Sequence, residues 1–298
     1  MSEPHQLGPP NLLLSPRTEG SRGGAGRVMA GWSVGQTVGV TVETPEQRRI
    51  REQQRVLFDG VAARYDATRR RYPAAIADAL IANAGIGPDS AVLEIGCGTG
   101  QFTRQLAGRR LKVTAIDIGA AMVRAARSNI ADANVRFQVC SFEDFADGGP
   151  FDLIVSASAF HWIDPSVGLV KAARLLRPGG WLALLGTGER YPEPLQSRLR
   201  QLWISYSRQP GEWADRPAWL TALRDSRLFG ETVEAKHSSA LRLPAQTIIG
   251  VERTRATFLS YSKQDQANFT ADLKALLEPG SHVDLVQETF LAMAPAIS

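Results

Sequence analysis

The chain has 298 residues, 44% of them hydrophobic, with 34 basic and 30 acidic side chains, a net charge of +4 and a sequence pI near 9.3. That is enough to bury a full core, as one elaborated domain or two small ones, and it excludes a fibre or a wholly disordered chain. No window approaches the roughly 20 apolar residues of a bilayer span, and the arginines are scattered as Arg48-Arg49, Arg69-Arg70-Arg71 and Arg109-Arg110 near carboxylates. A nucleic-acid binder would concentrate them in a stripe with aromatics. The chain therefore reads as soluble and cytoplasmic, with no membrane or nucleic-acid partner.

Residues 1–45 mix Gly, Pro, Ser, Thr and Arg without periodicity and read as a flexible tail. Leu12-Leu13-Leu14 is too short for a signal-peptide core, and Met29 could itself begin a protein. Thr44 can cap a helix that starts at Pro45, and Leu57, Val61 and Tyr65, with Phe58 and Ala62, form an apolar stripe at helical spacing. Pro73 starts a second helix with Ile76 and Leu80 inward.

From there strand and helix alternate in the manner of a doubly wound parallel sheet. Strands are expected at Ala91–Ile95, Lys112–Ile116, Val135–Val139, Phe151–Ser156 and Trp181–Leu185, with helices near Gln101–Leu106, Gly119–Asn129 and Pro165–Leu175. Arg177-Pro178-Gly179-Gly180 reads as a turn. Two insertions follow, about Gly186 to Phe229 and Pro244 to Leu277, either side of a sixth strand at Glu231–Leu243. They predict a lid over the ligand edge of the sheet. The expected division is a tail over 1–45, a cofactor-binding core with its N-terminal helices over 46–190, and lid insertions with the last two strands over 191–298.

The chemistry concentrates in Glu94-Ile95-Gly96-Cys97-Gly98-Thr99-Gly100, which closes one strand, and in Asp117, which closes the next. Three glycines let backbone approach a ligand, and a carboxylate at the end of the second strand can accept two hydrogen bonds from a ribose diol. The dinucleotide fingerprint would require glycine at Gln101, and Glu94 would repel a pyrophosphate while favouring an ammonium group. Cys97 and Cys140 read as small buried thiols in a reducing compartment.

These residues resemble the class I S-adenosylmethionine-dependent methyltransferases, whose first motif is an acidic residue followed by x-G-x-G-x-G. Phe58-Asp59-Gly60-Val61-Ala62-Ala63-Arg64-Tyr65-Asp66 with Arg69 and Tyr72-Pro73, then Ala159-Phe160-His161-Trp162 and Leu176-Arg177-Pro178-Gly179-Gly180, are similar to the small-molecule branch that includes trans-aconitate methyltransferase. The likeness covers roughly residues 55 to 190 and extends weakly through Arg253-Thr254-Arg255 and Val283–Met293. It implies a Rossmann-like doubly wound seven-stranded sheet with an antiparallel last strand and a helical lid, and S-adenosyl-L-methionine as cofactor. By the same resemblance Gly96 and Gly98 line the methionine part, Glu94 lies near its amino group, Asp117 holds the ribose, and Ile118 and Met122 flank the adenine. Phe142 and Glu143 meet the adenine edge, Ser156 and Ala157 lie near the methyl, and Tyr65 and Arg69 close over the carboxylate. The branch commonly reads Arg-Pro-Gly-Tyr-Pro where this chain has Arg69-Arg70-Arg71-Tyr72-Pro73, which leaves open which arginine points inward.

His161 is the candidate for acid–base work, with pocket shaping as the alternative. Ser158, Trp162, Tyr206, Trp213, Arg253 and Arg255 are candidates for acceptor binding, Ser158 standing where the branch often has glutamine. No metal-ligand spacing is visible, so no metal is expected. The expected activity is methyl transfer to O, N or C of a small-molecule acceptor of secondary-metabolite type, by a monomer or homodimer. A cofactor-binding cyclase on the same scaffold and a dinucleotide oxidoreductase are the alternatives.

Overall fold

The computed structural model describes residues 12–14, 49, 53, 56–146, 148–206, 218–278 and 280–297. After β1 (Leu12–Leu14) come a 3-10 turn at Asp59–Val61, α1 (Ala62–Thr68), α2 (Ala74–Ala84), β2 (Ala91–Ile95), α3 (Thr103–Leu106), β3 (Lys112–Asp117), α4 (Ala120–Asn129), β4 (Val135–Val139) and β5 (Phe151–Ala157). A second 3-10 turn at Phe160–Trp162 leads to α5 (Pro165–Leu175) and β6 (Leu176–Arg190). The remainder is α6 (Leu195–Tyr206), α7 (Ala218–Asp225), β7 (Val233–Pro244), α8 (Ala245–Glu252), α9 (Ala256–Leu259), α10 (Lys263–Leu276) and β8 (His282–Pro295).

One sheet runs β1-β7-β8-β6-β5-β2-β3-β4. The strands from β4 to β6 are parallel, and β8 inserts antiparallel between β6 and β7. The seven expected strands are thus present in a Rossmann-like order with the last strand antiparallel. An eighth joins them: Leu12–Leu14, read from sequence as part of a flexible tail, pairs antiparallel with Ala235–His237. The physical reason is the outer edge of β7, whose backbone groups would otherwise face no strand. The expected helix from Pro45 lies outside the described residues except at Arg49 and Gln53, both helical.

The central strands are continuous apolar runs because both faces are covered. Val92, Leu153, Val155, Ala183 and Leu185 face a core under α2 and α4, while Leu93, Ile154, Leu182 and Leu184 face a second under α5 and α7. Glu94 follows the alternation of β2 onto the α2 face and is 1% exposed. Arg177–Gly180 does not end the pairing as the turn reading implied. Phe151 pairs with Leu176 and Leu153 with Trp181, so the Pro-Gly-Gly run loops out within β6, with Gly179 at φ 71.

The two insertions share a third core. Tyr191, Leu199 and Trp203 from the first pack with Ile248, Ile249, Phe258, Phe269 and Leu273 from the second. The lid therefore has its own apolar centre, seated on the far ends of β6, β7 and β8.

Candidate cofactor cleft and active site

A cleft of about 640 Å³ opens at the carboxyl ends of the parallel strands, the place where open α/β sheets bind ligands and within the size range of cofactor pockets. Its floor is the turn after β2. Gly96 has φ 71, and a Cβ there would lie 2.2 Å from Ala159 Cβ, so both conformation and space require glycine. Gly98 has φ 55, and a Cβ there would project toward the Tyr65 ring, 3.9 Å from Cε1. Backbone rather than side chain thus faces the cleft at both positions.

Glu94 lies beneath this turn with both carboxylate oxygens buried and without a hydrogen-bond partner. Burial raises its pKa to about 7; the Asp117 charge adds to the rise, and the nearby Thr103 hydroxyl and amide oppose it without forming a bond to either oxygen. Asp117 is fixed by two backbone donors, accepting from Gly98 N at 2.9 Å and Gly119 N at 2.8 Å. Ile118, Met122 and Phe142 continue the wall on that side.

The opposite wall comes from the N-terminal segment and the lid. Phe58 meets Tyr65 and Trp162 edge-on at 5.9 and 5.7 Å. Arg69 stacks over Tyr65 at 5.2 Å and donates through Nε to Thr254 Oγ1 at 3.0 Å. Arg69 and Arg70 both line the cleft, which resolves which arginines of the triplet point inward. Tyr72, absent from the sequence candidates, donates its hydroxyl to Ser158 Oγ at 2.8 Å. Ser158 has φ 56, a strained left-handed conformation for a non-glycine residue.

His161 lines the cleft on the Phe160–Trp162 turn, its ring 4.6 Å from that of Trp162. Surrounding protein pushes its imidazole pKa down to about 4 by desolvation. The side chain is nonetheless exposed along the cleft, so water there returns part of that loss; the direction, a neutral ring at pH 7, holds either way. Among the described residues no carboxylate orients the ring.

Of the expected cofactor residues, Tyr65, Arg69, Glu94, Gly96, Gly98, Asp117, Ile118, Met122, Phe142 and Ala157 line the cleft together. Glu143 does not, and Ser156 is fully buried with its hydroxyl donated to Ile95 O at 3.1 Å. Among acceptor candidates, Ser158, Trp162 and Arg255 line it. Tyr206 is turned away, its hydroxyl donated to Asp272 at 2.6 Å and its ring in the lid core. Arg253 is off the cleft, Trp213 lies outside the described residues, and Arg255 is already paired: it donates to Glu252 at 2.7 and 2.9 Å and lies 3.3 Å from Glu189. The carboxylates hold its guanidinium charged against the desolvation that opposes them. Glu252 also accepts from the Trp203 indole at 2.9 Å. Cleft-lining residues outside the sequence candidates include Arg70, Tyr72, Gln101, Glu189, Trp219 and Gln287. The adjacent Arg69 and Tyr72-Pro73 signalled the first two, and nothing local signalled Gln287.

No group of three or more His, Cys, Asp or Glu that could hold a metal occurs among the described residues, and no described helix is long and apolar enough to cross a membrane. The orphaned Glu94 oxygens, the glycine cradle and the Asp117 carboxylate at the next strand end fit an ammonium-bearing nucleoside cofactor.

Residues 93–184 match the family model described as "Methyltransferase domain". The chain is 32% identical over 171 residues to a malonyl-[acyl-carrier protein] O-methyltransferase of Paenibacillus sp., covering 53% of this chain and 62% of that protein. It is 31% identical over 147 residues to a trans-aconitate 2-methyltransferase of Azoarcus sp., covering 48% and 54%. The chain spans between 28% and 62% of the first curated relatives it matches. In fold it resembles a candidate type II methyltransferase of Anaeromyxobacter dehalogenans, with a TM-score of 0.57, 22% identity and coverage of 76% of this chain and 97% of that one. Residues 93–184, with the glycine loop and Asp117 at the ligand edge of a Rossmann-like sheet, thus match a methyltransferase domain.

Proposed function

We propose that the protein transfers a methyl group from S-adenosyl-L-methionine to a small-molecule acceptor. The observation that carries this reading is Glu94: a buried carboxylate with two unpartnered oxygens, under a glycine turn and beside Asp117, asks for a cationic ligand group. When bound, the cofactor supplies an electrophilic sulfonium methyl that needs no activation by the protein. The chain's own contribution is then alignment, which is capable of lowering a barrier by about 7–11 kcal/mol, and exclusion of water.

In this reading Glu94 takes the cofactor ammonium, Asp117 the ribose hydroxyls, and Ile118, Met122 and Phe142 the adenine. Tyr65 and Arg69 close the carboxylate side. Ser158, His161, Trp162 and Trp219 shape the acceptor side, with Arg70 and Glu189 at its far end. The acceptor atom is O, N or C; the relatives named for malonyl-[acyl-carrier protein] and trans-aconitate make carboxylic acids the first acceptors to assay.

The experiment has two arms. Calorimetry with S-adenosylhomocysteine is expected to give micromolar-range affinity in the wild type and a loss of about 1.5–3 kcal/mol in Asp117→Ala, the scale for charge-assisted hydrogen bonds. Transfer of label from methyl-labelled cofactor to an acceptor panel supports methylation; tight cofactor binding with no transfer across a broad panel supports the cyclase alternative.

A further inference from the structure

We propose that Asp59 is a positioning residue for the cofactor, acting from outside the matched domain through the start of α4. This inference rests on the cofactor reading above and extends it to a residue that does not line the cleft.

The helix α4 begins immediately after the strand that carries Asp117, and its first turn bears Met122 on the cleft wall. Its N-cap position is Gly119, which has no side chain with which to satisfy the first amides. Asp59 does so across the chain: its Oδ1 accepts from Ala121 N at 2.5 Å and from Met122 N at 3.3 Å. The same carboxylate crowds Gly119, where a Cβ would lie 2.9 Å from Asp59 Oδ1 and 3.3 Å from Asp117 Oδ1. Asp117 itself accepts from Gly119 N. Two carboxylates therefore converge on one glycine, one fixing the loop from below and one from the N-terminal segment.

This arrangement sets the position of residues 117–122 relative to the glycine turn. The helix N-terminus favours negative charge, so the Asp59 carboxylate is held there rather than offered to a ligand. Its neighbour Phe58 is thereby placed against Tyr65 and Trp162. A second carboxylate on the same segment meets the other end of α4 through a side chain: Asp66 accepts from Asn129 Nδ2 at 2.8 Å, and Asn129 Nδ2 also donates to Thr99 O in the glycine turn at 3.0 Å. Removing Asp59 leaves Ala121 and Met122 without their cap and frees the nucleoside wall to shift.

The test compares wild type, Asp59→Ala and Asp59→Asn by calorimetry with S-adenosylhomocysteine and with 5′-methylthioadenosine, which shares only the nucleoside end. Ser262→Ala, which removes the cap of α10 in the lid, is the control for simple loss of a helix cap. Asp59→Ala is expected to weaken both ligands about tenfold or more and by similar factors. Asp59→Asn keeps an oxygen acceptor and should recover most of the loss, and Ser262→Ala should bind as the wild type does. Wild-type affinity in a folded Asp59→Ala protein, or an equal loss in Ser262→Ala, overturns the positioning role while leaving the cofactor reading intact. Failure of the wild type to bind either ligand overturns both.

Discussion

Burial lifts the Glu94 carboxyl to about 7, so the folded protein holds a proton that the unfolded chain releases near the ordinary carboxylate value. The folded state binds more protons between those two pH values; the stability this contributes is full below about pH 4.5 and is lost as pH rises through about 7, amounting to about 3 kcal/mol. Glu94→Gln should remove that dependence from the ligand-free melting curve. An ammonium group beside the carboxylate reverses the preference. Binding of S-adenosylhomocysteine near pH 6 is therefore expected to release most of one proton, and the release should fall away as pH rises through about 7, measurable by calorimetry in buffers of different ionisation enthalpy. Equal heats in all buffers near pH 6 would remove Glu94 from the ammonium.

His161 titrates in the opposite sense. Its depressed pKa means the unfolded chain binds the proton more readily, so stability falls as pH drops from about 6.5 toward 4. A neutral imidazole without an orienting carboxylate is a weak proton acceptor. His161→Ala should accordingly lower turnover by less than the ~10²–10⁴-fold that a positioned general base contributes. A larger fall, together with a pH profile that loses its acidic limb, would give His161 the catalytic role.

Among elements, α1 is held between the core and the lid. Its last residue, Thr68, packs so closely on α8 that a Cβ at Gly250 would lie 2.3 Å from Thr68 Cγ2. Alanine would gain up to about 1 kcal/mol of helix propensity at Gly250, but overpacking of this kind costs about 1–3 kcal/mol, and the contact is with a stiff β-branched side chain. Gly250→Ala is expected to be net destabilising in chemical denaturation, and Thr68→Ala in the same chain should restore most of the loss. Additive effects of the two substitutions would show that α1 and α8 are not in register there.

The parallel strands and their helices were legible because each is a short apolar run between turn signals, and the glycine turn with Asp117 was legible because its spacing is tied to one chemistry. The lid was legible only as two aromatic-rich insertions. Tyr206 and Trp203 have the composition of a ligand wall, yet they pack together through residues 40 or more positions away, such as Phe269 and Glu252. Arg255 is a candidate in the sequence, but the fold pairs it with Glu252, three residues before it, and with Glu189, 66 residues before it. Ser158 carried no local sign of its positive φ, which accompanies bonds to the Tyr72 hydroxyl and from its own amide to Leu185 O.

At the scale of the whole molecule, three apolar cores surround one sheet, and among the described residues none of them draws on residues 1–55. Among the described residues, deleting residues 1–28 removes the pairing of Leu12–Leu14 with β7 and no other strand contact. The melting temperature should fall by no more than a few degrees, since about 1 kcal/mol shifts a domain of this size by roughly 2–4 °C. Cofactor affinity should be unchanged. Light scattering should rise on heating, because the β7 edge is uncovered. A collapse of the melting transition would mean that the tail docks on the core more widely than through β1.

The ladder of β6, β7 and β8 does not stop with the central strands. β5 follows β6 only as far as Leu185, while β6 remains paired to β8 through Arg190 and β7 to β8 through Pro244. The helices of the lid are rooted at the tip of this three-stranded ribbon. A cover carried this way is a cantilever and not a door: displacing it requires bending hydrogen-bonded backbone along its length. Residues 58–72 tie this cover to the core, through Asp59 and Asp66 to α4, Tyr72 to Ser158 and Arg69 to Thr254.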